Sequence, residues 1–142
     1  MDEVAANPMV RRLGLDIDDT ITADPTGFAR IAGRVRARGG EMHVVTSRSA
    51  EARRETIAEL AGYGLRYDQL FFLPPMSMAN LICPLPQLDW YSKFLWGKLD
   101  YAQAHGLECF VDDDDRVGRL FRQLAPEIRF LTPVQALDLE GW

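Results

Sequence analysis

Short apolar segments alternate along this chain with longer segments in which apolar residues recur every three or four positions. The short segments have the length and composition of buried strands and lie at residues 10–17, 42–45, 67–73, 109–111 and 128–131. The longer segments have the periodicity of amphipathic helices. Strands that alternate with helices predict a doubly wound α/β fold, in which a mostly parallel sheet carries helices on both faces.

Each of the predicted helices has its own start or stop signal. Thr26 and Ser49 are suited to cap the first and second helices. Gly106 follows the helix predicted at residues 91–105, and glycine commonly ends helices. The apolar residues expected to face the core from these helices are Phe28, Ile31, Val35, Ile57, Leu60, Leu95, Leu99, Val117, Leu120 and Phe121.

One segment, residues 69–88, contains no charged residue and is long enough to span a bilayer. Its four prolines, Pro74, Pro75, Pro84 and Pro86, would break a spanning helix, so no membrane association is expected. We interpret residues 74–90 as a Pro-rich excursion from the domain. The apolar side chains of residues 74–96 fit a flap on the core, a base-stacking wall, or a surface for a homodimer or a partner protein.

Composition and charge narrow the class of protein. A length of 142 residues with 47% apolar residues fits a single domain, expected at residues 10–142 after a tail at residues 1–9. The net charge of −5 disfavours non-specific binding to nucleic acid. Cys83 and Cys109 lack metal-site spacing and are expected to be buried free thiols. The start of the chain does not resemble a signal peptide, and we expect a cytoplasmic protein.

Polar side chains follow three of the predicted strands. Asp16 and Asp18 follow the first, Thr46 and Ser47 the second, and the pair Asp112-Asp113 the fourth. The carboxyl ends of parallel strands meet at one edge of a sheet, where doubly wound folds bind ligands. Asp16 and Asp18 would share a face if the strand continued through both. An acidic turn that caps the next helix is the simpler alternative.

Several carboxylates without histidine or cysteine favour Mg²⁺ over Zn²⁺ at this edge. A carboxylate in such a site can attack phosphorus and form an aspartyl-phosphate. A second carboxylate can protonate the leaving oxygen and then activate water, while a hydroxyl and an ammonium hold the phosphoryl oxygens. The predicted edge therefore has the groups needed for phosphoryl transfer.

These residues, in this order, resemble the motifs of the haloacid dehalogenase (HAD) superfamily of phosphotransferases, which has a Rossmann-like fold. The sequence Asp16-Ile17-Asp18-Asp19-Thr20 resembles the first motif. The resemblance implies that Asp16 is the nucleophile and a Mg²⁺ ligand, and that Asp18 is the general acid/base and binds Mg²⁺ through its carbonyl. It implies that Thr46, with Ser47, binds the phosphate. It also implies that Asp112 and Asp113 bind the metal.

The superfamily also has an active-site lysine, and this chain has two lysines, Lys93 and Lys98. Lys93 lies near the start of its predicted helix, as the family lysine usually does, and is therefore expected to act in catalysis and bind phosphate. Lys98, one turn further into the same helix, is the alternative, and it is otherwise expected to be a surface or salt-bridge residue. Arg48 and Arg116 could also contact phosphate, whereas Asp114 and Asp115 fit a solvated turn and helix start.

The gaps between the motifs leave no room for the full cap domain that many HAD proteins carry, so the resemblance implies a capless or minimally capped phosphatase. The spacing from Lys93 to Asp112-Asp113 also resembles the phosphatase domain of polynucleotide kinase/phosphatases. That resemblance implies a nucleotide or a nucleic-acid terminal phosphate as substrate. The alternative function is a non-catalytic HAD-fold module for binding or assembly.

Overall fold

Five parallel strands form a single sheet in the order β3-β2-β1-β4-β5 in the computed structural model, which describes residues 9–142. The predicted tail, apart from Met9, lies outside the described residues. In the register of the sheet, Leu15 pairs with Val44 on one side and Val111 on the other. The strands are β1 (Arg12–Leu15), β2 (Glu41–Thr46), β3 (Gln69–Phe72), β4 (Cys109–Val111) and β5 (Arg129–Leu131).

Helices connect the strands, as the periodicity predicts. The six α-helices in the described part of the chain are α1 (Pro25–Ala37), α2 (Arg53–Gly62), α3 (Ala79–Ile82), α4 (Trp90–Ala104), α5 (Asp115–Leu124) and α6 (Pro133–Asp138). Short 3₁₀ turns lie at Ile21–Ala23, Ala50–Ala52 and Met76–Met78. None of the helices within residues 9–142 is both long enough and apolar enough to cross a bilayer.

Two separate apolar clusters cover the two faces of the sheet. On one face, Leu13 and Leu15 of β1 pack with Phe28 of α1. On the other face, Phe110 of β4 belongs to a cluster with side chains of α4 and α5, among them Leu95 and Phe121. Helices on both faces confirm the predicted doubly wound α/β architecture, and the chain forms one compact domain.

The first strand is shorter than predicted, and this changes where its acids point. β1 ends at Leu15, and residues 17–20 form a turn in which the Thr20 amide donates to the Ile17 carbonyl oxygen at 3.1 Å. Asp19 has a φ of 62°, a left-handed conformation that aspartate tolerates better than most residues. The expectation that Asp16 and Asp18 share one strand face is therefore wrong, because the strand ends before Asp16 and Asp18 lies in the turn.

Two details of the helices also differ from the expectation. Asp24, rather than Thr26, caps α1, because its carboxylate accepts from the Gly27 amide at 3.0 Å and Pro25 occupies the first helical position. Ile57 on α2 is 41% exposed, whereas Leu60 is fully buried as predicted.

The Pro-rich segment is anchored to the domain at a few points. Ala79 and Cys83 are buried, while Leu81, Ile82 and Trp90 remain exposed. Both cysteines, Cys83 and Cys109, are buried free thiols as predicted. The segment therefore presents apolar side chains to solvent beside α4, and the predicted homodimer or partner contact through residues 74–96 stays a prediction.

Candidate functional site

The candidate site lies at the carboxyl ends of β1 and β4, where the strand order reverses direction. From β1 the chain builds β2 and β3 on one side, and it then crosses back to place β4 on the other side. The amide of Asp16 donates to the Val111 carbonyl oxygen at 3.0 Å, and that of Asp112 donates to the Leu131 carbonyl oxygen at 3.2 Å. These bonds fix both aspartates just beyond the strand ends, at the crevice where open α/β sheets bind ligands.

Three carboxylates meet at this crevice. Asp16, Asp112 and Asp113 each place an oxygen within 4.8 Å of the other two. Asp16 is 4% and Asp112 is 1% exposed, while Asp113 faces solvent. The buried Thr20 hydroxyl donates to Asp16 Oδ2 at 3.0 Å and lies 3.4 Å from Asp113 Oδ1. The structure thus brings together three of the four acids that the strand-end pattern predicts, with Thr20 linking two of them.

Lys98, rather than Lys93, is the lysine of this cluster. Its Nζ donates to Asp16 Oδ1 at 2.9 Å and to Asp112 Oδ2 at 2.7 Å, and the residue is 2% exposed. The Lys93 Nζ instead donates to Asn80 Oδ1 at 3.0 Å, near the Pro-rich segment. The two lysines are five residues apart on α4, so their side chains leave the helix about 140° apart. The expectation for Lys93 as the site lysine is corrected accordingly. Lys98 is a salt-bridge residue, which was one of the two expectations for it, but it is buried and does not lie on the surface.

The charges of this cluster do not cancel. Burial raises the pKa of Asp16 and of Asp112, although the attraction of Lys98 opposes the shift. Burial alone would lower the pKa of Lys98, but the two carboxylates outweigh it and raise that pKa, so Lys98 is an ammonium. One ammonium faces two buried carboxylates, and Asp113 adds a third. When these acids are ionised, the cluster therefore has room for further positive charge, and without a further cation the raised pKa values favour a proton there.

This donor set fits Mg²⁺. Asp16, Asp112 and Asp113 offer only oxygen ligands, which hard divalent cations prefer. The uncompensated negative charge favours a cation, and the exposed Asp113 gives the site access to water and to a ligand. All three acids would bind the ion. The Asp18 side chain does not belong to this group, and its predicted metal contact through the backbone carbonyl stays a prediction.

Asp18 points away from the cluster and pairs with Arg48. The guanidinium donates to both carboxylate oxygens, from Nε to Oδ2 at 3.0 Å and from Nη2 to Oδ1 at 2.8 Å. Arg48 is itself anchored by Glu59, whose Oε1 accepts from Nη1 at 2.9 Å, and by the Thr56 hydroxyl at 3.1 Å. Hydrogen bonds from Arg48 lower the pKa of Asp18. Asp18 is thus an ionised carboxylate held at the mouth of the site.

Thr46 and Ser47 end β2 at the same edge of the sheet. The Thr46 side chain is buried, and its Oγ1 accepts from the Arg48 amide at 3.0 Å. Ser47 is exposed. Their position agrees with the predicted edge, while their proposed contact with phosphate stays a prediction.

The remaining charged candidates lie at the start of α5, where they cap the helix or form an ion pair. Asp114 caps α5 by accepting from the Arg116 amide at 2.9 Å, and Asp115 is exposed in the first turn. Arg116 pairs with Asp114 and lies over the Tyr91 ring at 4.3 Å. The expectation of a turn and helix start at Asp114 and Asp115 agrees with this geometry.

The sequence pattern of α4 could have identified Lys98 as a buried residue. Its distance from the start of the helix led to the choice of Lys93 instead. Lys98 lies three residues after Leu95 and one before Leu99, on the buried stripe of α4. A lysine on a buried stripe needs carboxylate partners. The pattern of α4 could therefore have identified Lys98 as the partner of the strand-end acids. The pairing of Arg48 with Asp18 and Glu59 had no comparable signal.

No protein-family model matches this sequence, and comparisons with curated proteins and with solved structures find no match. The resemblance to HAD phosphatases therefore rests on the motif residues alone. The chemistry of the site depends on its distances, burial and charge.

Proposed function

We propose that this protein is a capless, HAD-type, Mg²⁺-dependent phosphomonoester hydrolase that works through an aspartyl-phosphate on Asp16. The observation that supports it most is the meeting of Asp16, Asp112, Asp113 and Lys98 at the switch point of a parallel sheet. A buried carboxyl group with an ammonium on one oxygen and a hydroxyl on the other is held in a fixed orientation, and a cation bound beside it would favour the ionised form that a nucleophile requires.

The reaction then proceeds in two displacements. Asp18 first takes a proton from solvent when it leaves Arg48, whose hydrogen bonds otherwise keep it ionised. An oxygen of Asp16 then attacks phosphorus, the bond from phosphorus to the ester oxygen breaks, and the leaving oxygen takes that proton from Asp18. Asp18 next removes a proton from water, which attacks the phosphoryl group, releases phosphate and regenerates Asp16. Lys98 offsets charge that develops on the phosphoryl oxygens. Mg²⁺, when bound by the three acids, supplies further positive charge for the same oxygens.

Asp18 reaches the leaving oxygen only if it breaks its two hydrogen bonds to Arg48 and turns to the substrate. Its position at the mouth of the site makes this movement possible, because the side chain is 58% exposed and its pairing with Arg48 faces solvent. Arg48 keeps Glu59 and Thr56 as partners when Asp18 leaves. Arg48 thereby holds Asp18 beside the phosphate site in the absence of substrate.

Removal of Asp18 should separate the two displacements. In Asp18→Ala, p-nitrophenyl phosphate needs no acid for its leaving group, so the first step should persist while hydrolysis of the phosphoenzyme slows by about 10²–10⁴-fold. We expect a burst of about one equivalent of nitrophenolate per enzyme, followed by slow turnover, in a stopped-flow measurement. A uniform slowing without a burst would contradict the role of Asp18 in the second step.

Mg²⁺ should stabilise the folded protein through Asp113. At 100 times the dissociation constant, a bound ion raises the free energy of unfolding by about 2.7 kcal/mol. Asp113→Asn should weaken Mg²⁺ binding by about 10-fold or more, because the exposed cluster acid is lost while the buried pair with Lys98 remains. Thermal unfolding with Mg²⁺ and with EDTA measures this effect. Asp115→Asn, a neighbouring exposed acid outside the cluster, is the matched control and should leave the Mg²⁺ shift unchanged.

A non-catalytic binding or assembly module is the second candidate. It is favoured by Lys98, which already compensates part of the acid charge, and by the exposed apolar side chains Leu81, Ile82 and Trp90. A panel of phosphomonoesters with Mg²⁺, covering nucleotides, sugar phosphates and 3′-phosphorylated oligonucleotides, distinguishes the two. Turnover by the wild type that is lost in Asp16→Asn supports the phosphatase. The absence of turnover across the panel supports the module.

A further inference from the structure

A cavity of about 420 Å³ lies beside the candidate site, within the range of about 300–1,000 Å³ that is usual for small-molecule sites. One wall is formed by residues 47–51, the loop and 3₁₀ turn that follow Thr46. The opposite wall is formed by residues 73–76 and by Phe94 of α4. The cavity therefore lies between the end of β2 and the start of the Pro-rich segment.

Arg48 connects this cavity to the proton donor. Its side chain lines the cavity and also makes the two hydrogen bonds to Asp18. Asp18, the proposed donor of the leaving-group proton, is thus linked to the cavity through Arg48, while the phosphoryl group belongs with Asp16 and Lys98. A substrate that places its phosphorus at Asp16 extends its leaving group from the Asp18 side, toward this cavity.

The two walls differ in chemistry. One wall has an apolar surface that includes an aromatic ring and two proline rings, formed by Leu73, Pro74, Pro75, Met76 and Phe94. Such a surface suits an aromatic group, which can bury its face against it.

The polar wall disfavours an anionic occupant. The charge of Arg48 stays balanced by Glu59 even when Asp18 turns to the substrate, and the wall carries a carboxylate of its own at Glu51, which accepts a 3.3 Å hydrogen bond from the Ser49 hydroxyl. A leaving group with further negative charge would face Glu51 without a free cation from this wall. An uncharged group meets no such cost.

We propose that this cavity is the leaving-group site and that it selects phosphomonoesters whose leaving group is an uncharged aromatic alcohol of one or two rings. This inference rests on the proposed phosphatase function and names the substrate class for it. Phe94 and Met76 determine the specificity through their apolar surface. Nucleic-acid ends, which carry further phosphates, are disfavoured for the same site.

Benzyl phosphate and ethyl phosphate test the proposal, because both release a primary alkoxide and differ chiefly in the ring. The wild type should show a kcat/KM at least about tenfold higher for benzyl phosphate, since a phenyl group buries a large apolar area. Phe94→Leu and Met76→Ala should each reduce the ratio of kcat/KM for benzyl phosphate to that for ethyl phosphate severalfold. A loss of activity that affects both substrates equally leaves this ratio unchanged. Val134→Ala, at an exposed position on α6, should leave the ratio unchanged.

A binding measurement separates this proposal from the phosphatase function. Calorimetry with Mg²⁺ should give a Kd for benzylphosphonate at least about tenfold lower than for ethylphosphonate, with the difference reduced in Phe94→Leu. Selective binding without turnover of either ester would overturn the phosphatase and leave the cavity assignment standing. Equal affinities for the two phosphonates, or a kcat/KM for a 3′-phosphorylated oligonucleotide above that for benzyl phosphate, would overturn the cavity proposal.

Discussion

Asp16→Asn should lower kcat for p-nitrophenyl phosphate by at least about 10³-fold, because an amide cannot act as the nucleophile that forms the phosphoenzyme. The substitution preserves the shape of the side chain. The asparagine oxygen can still accept from Lys98, which also keeps Asp112 as a partner. The variant should therefore fold, and the loss should appear in kcat in a steady-state assay with Mg²⁺.

Asp19→Asn is the matched control for this measurement. Asp19 is exposed in the same turn, and asparagine tolerates its left-handed backbone, with φ of 62°, as well as aspartate does. Asp19→Asn should have a kcat within about threefold of the wild-type value, because it removes a carboxylate charge, as Asp16→Asn does, but at a residue outside the cluster. Full activity in Asp16→Asn, or equal losses in the two variants, would remove the support for a nucleophilic role of Asp16.

Lys98→Met should lower the free energy of unfolding by about 3–5 kcal/mol, because it leaves Asp16 and Asp112 buried without their cation. Urea denaturation in EDTA measures the change. Lys93→Met is the matched control on the same helix. Lys93 makes an exposed hydrogen bond to Asn80, so its loss should change stability by no more than about 0.5 kcal/mol.

A second substitution tests whether the loss comes from the unpaired carboxylates. Adding Asp112→Asn to Lys98→Met removes one of the two charges, so the double variant should be more stable than Lys98→Met alone. The same substitution in the wild-type background should destabilise the protein, because Lys98 then loses a partner. Additive effects of the two substitutions would show that Lys98 stabilises the fold by packing rather than by charge.

The alternation of strands and helices could be predicted because each element buries one face and leaves a periodic trace in the sequence. Rows of apolar residues predicted β4 at residues 109–111, and the structure has it at Cys109–Val111. The meeting of Asp16 with Asp112 and Asp113 follows from parallel strands, whose carboxyl ends share an edge. These predictions depend on the spacing of apolar residues and on the parallel direction of the strands, and both can be inferred from the order of apolar and polar residues along the chain.

The predictions that failed depend on the angle at which a side chain leaves its helix or turn, and on contacts between residues that are distant in sequence. Asp18 leaves the cluster because a turn replaces the strand after Leu15, and its partner Arg48 is 30 residues away. Lys93 was chosen for its distance from the start of α4, whereas the angle around the helix directs Lys98 to the acids. Ile57 has the residue type of a core position but lies on an exposed face of α2. A local turn decided the position of Asp18, and the angle around a helix decided those of Lys98 and Ile57.

The central claim is that Asp16 carries the phosphoryl group during turnover. Wild-type protein quenched in acid during turnover of p-nitrophenyl phosphate with Mg²⁺, then digested and mapped by mass spectrometry, tests it directly. We expect one phosphoryl group on the peptide that contains Asp16, located on that residue and absent from Asp16→Asn. A phosphoryl group on another residue, or turnover with no phosphorylated peptide at any time of quenching, would contradict it.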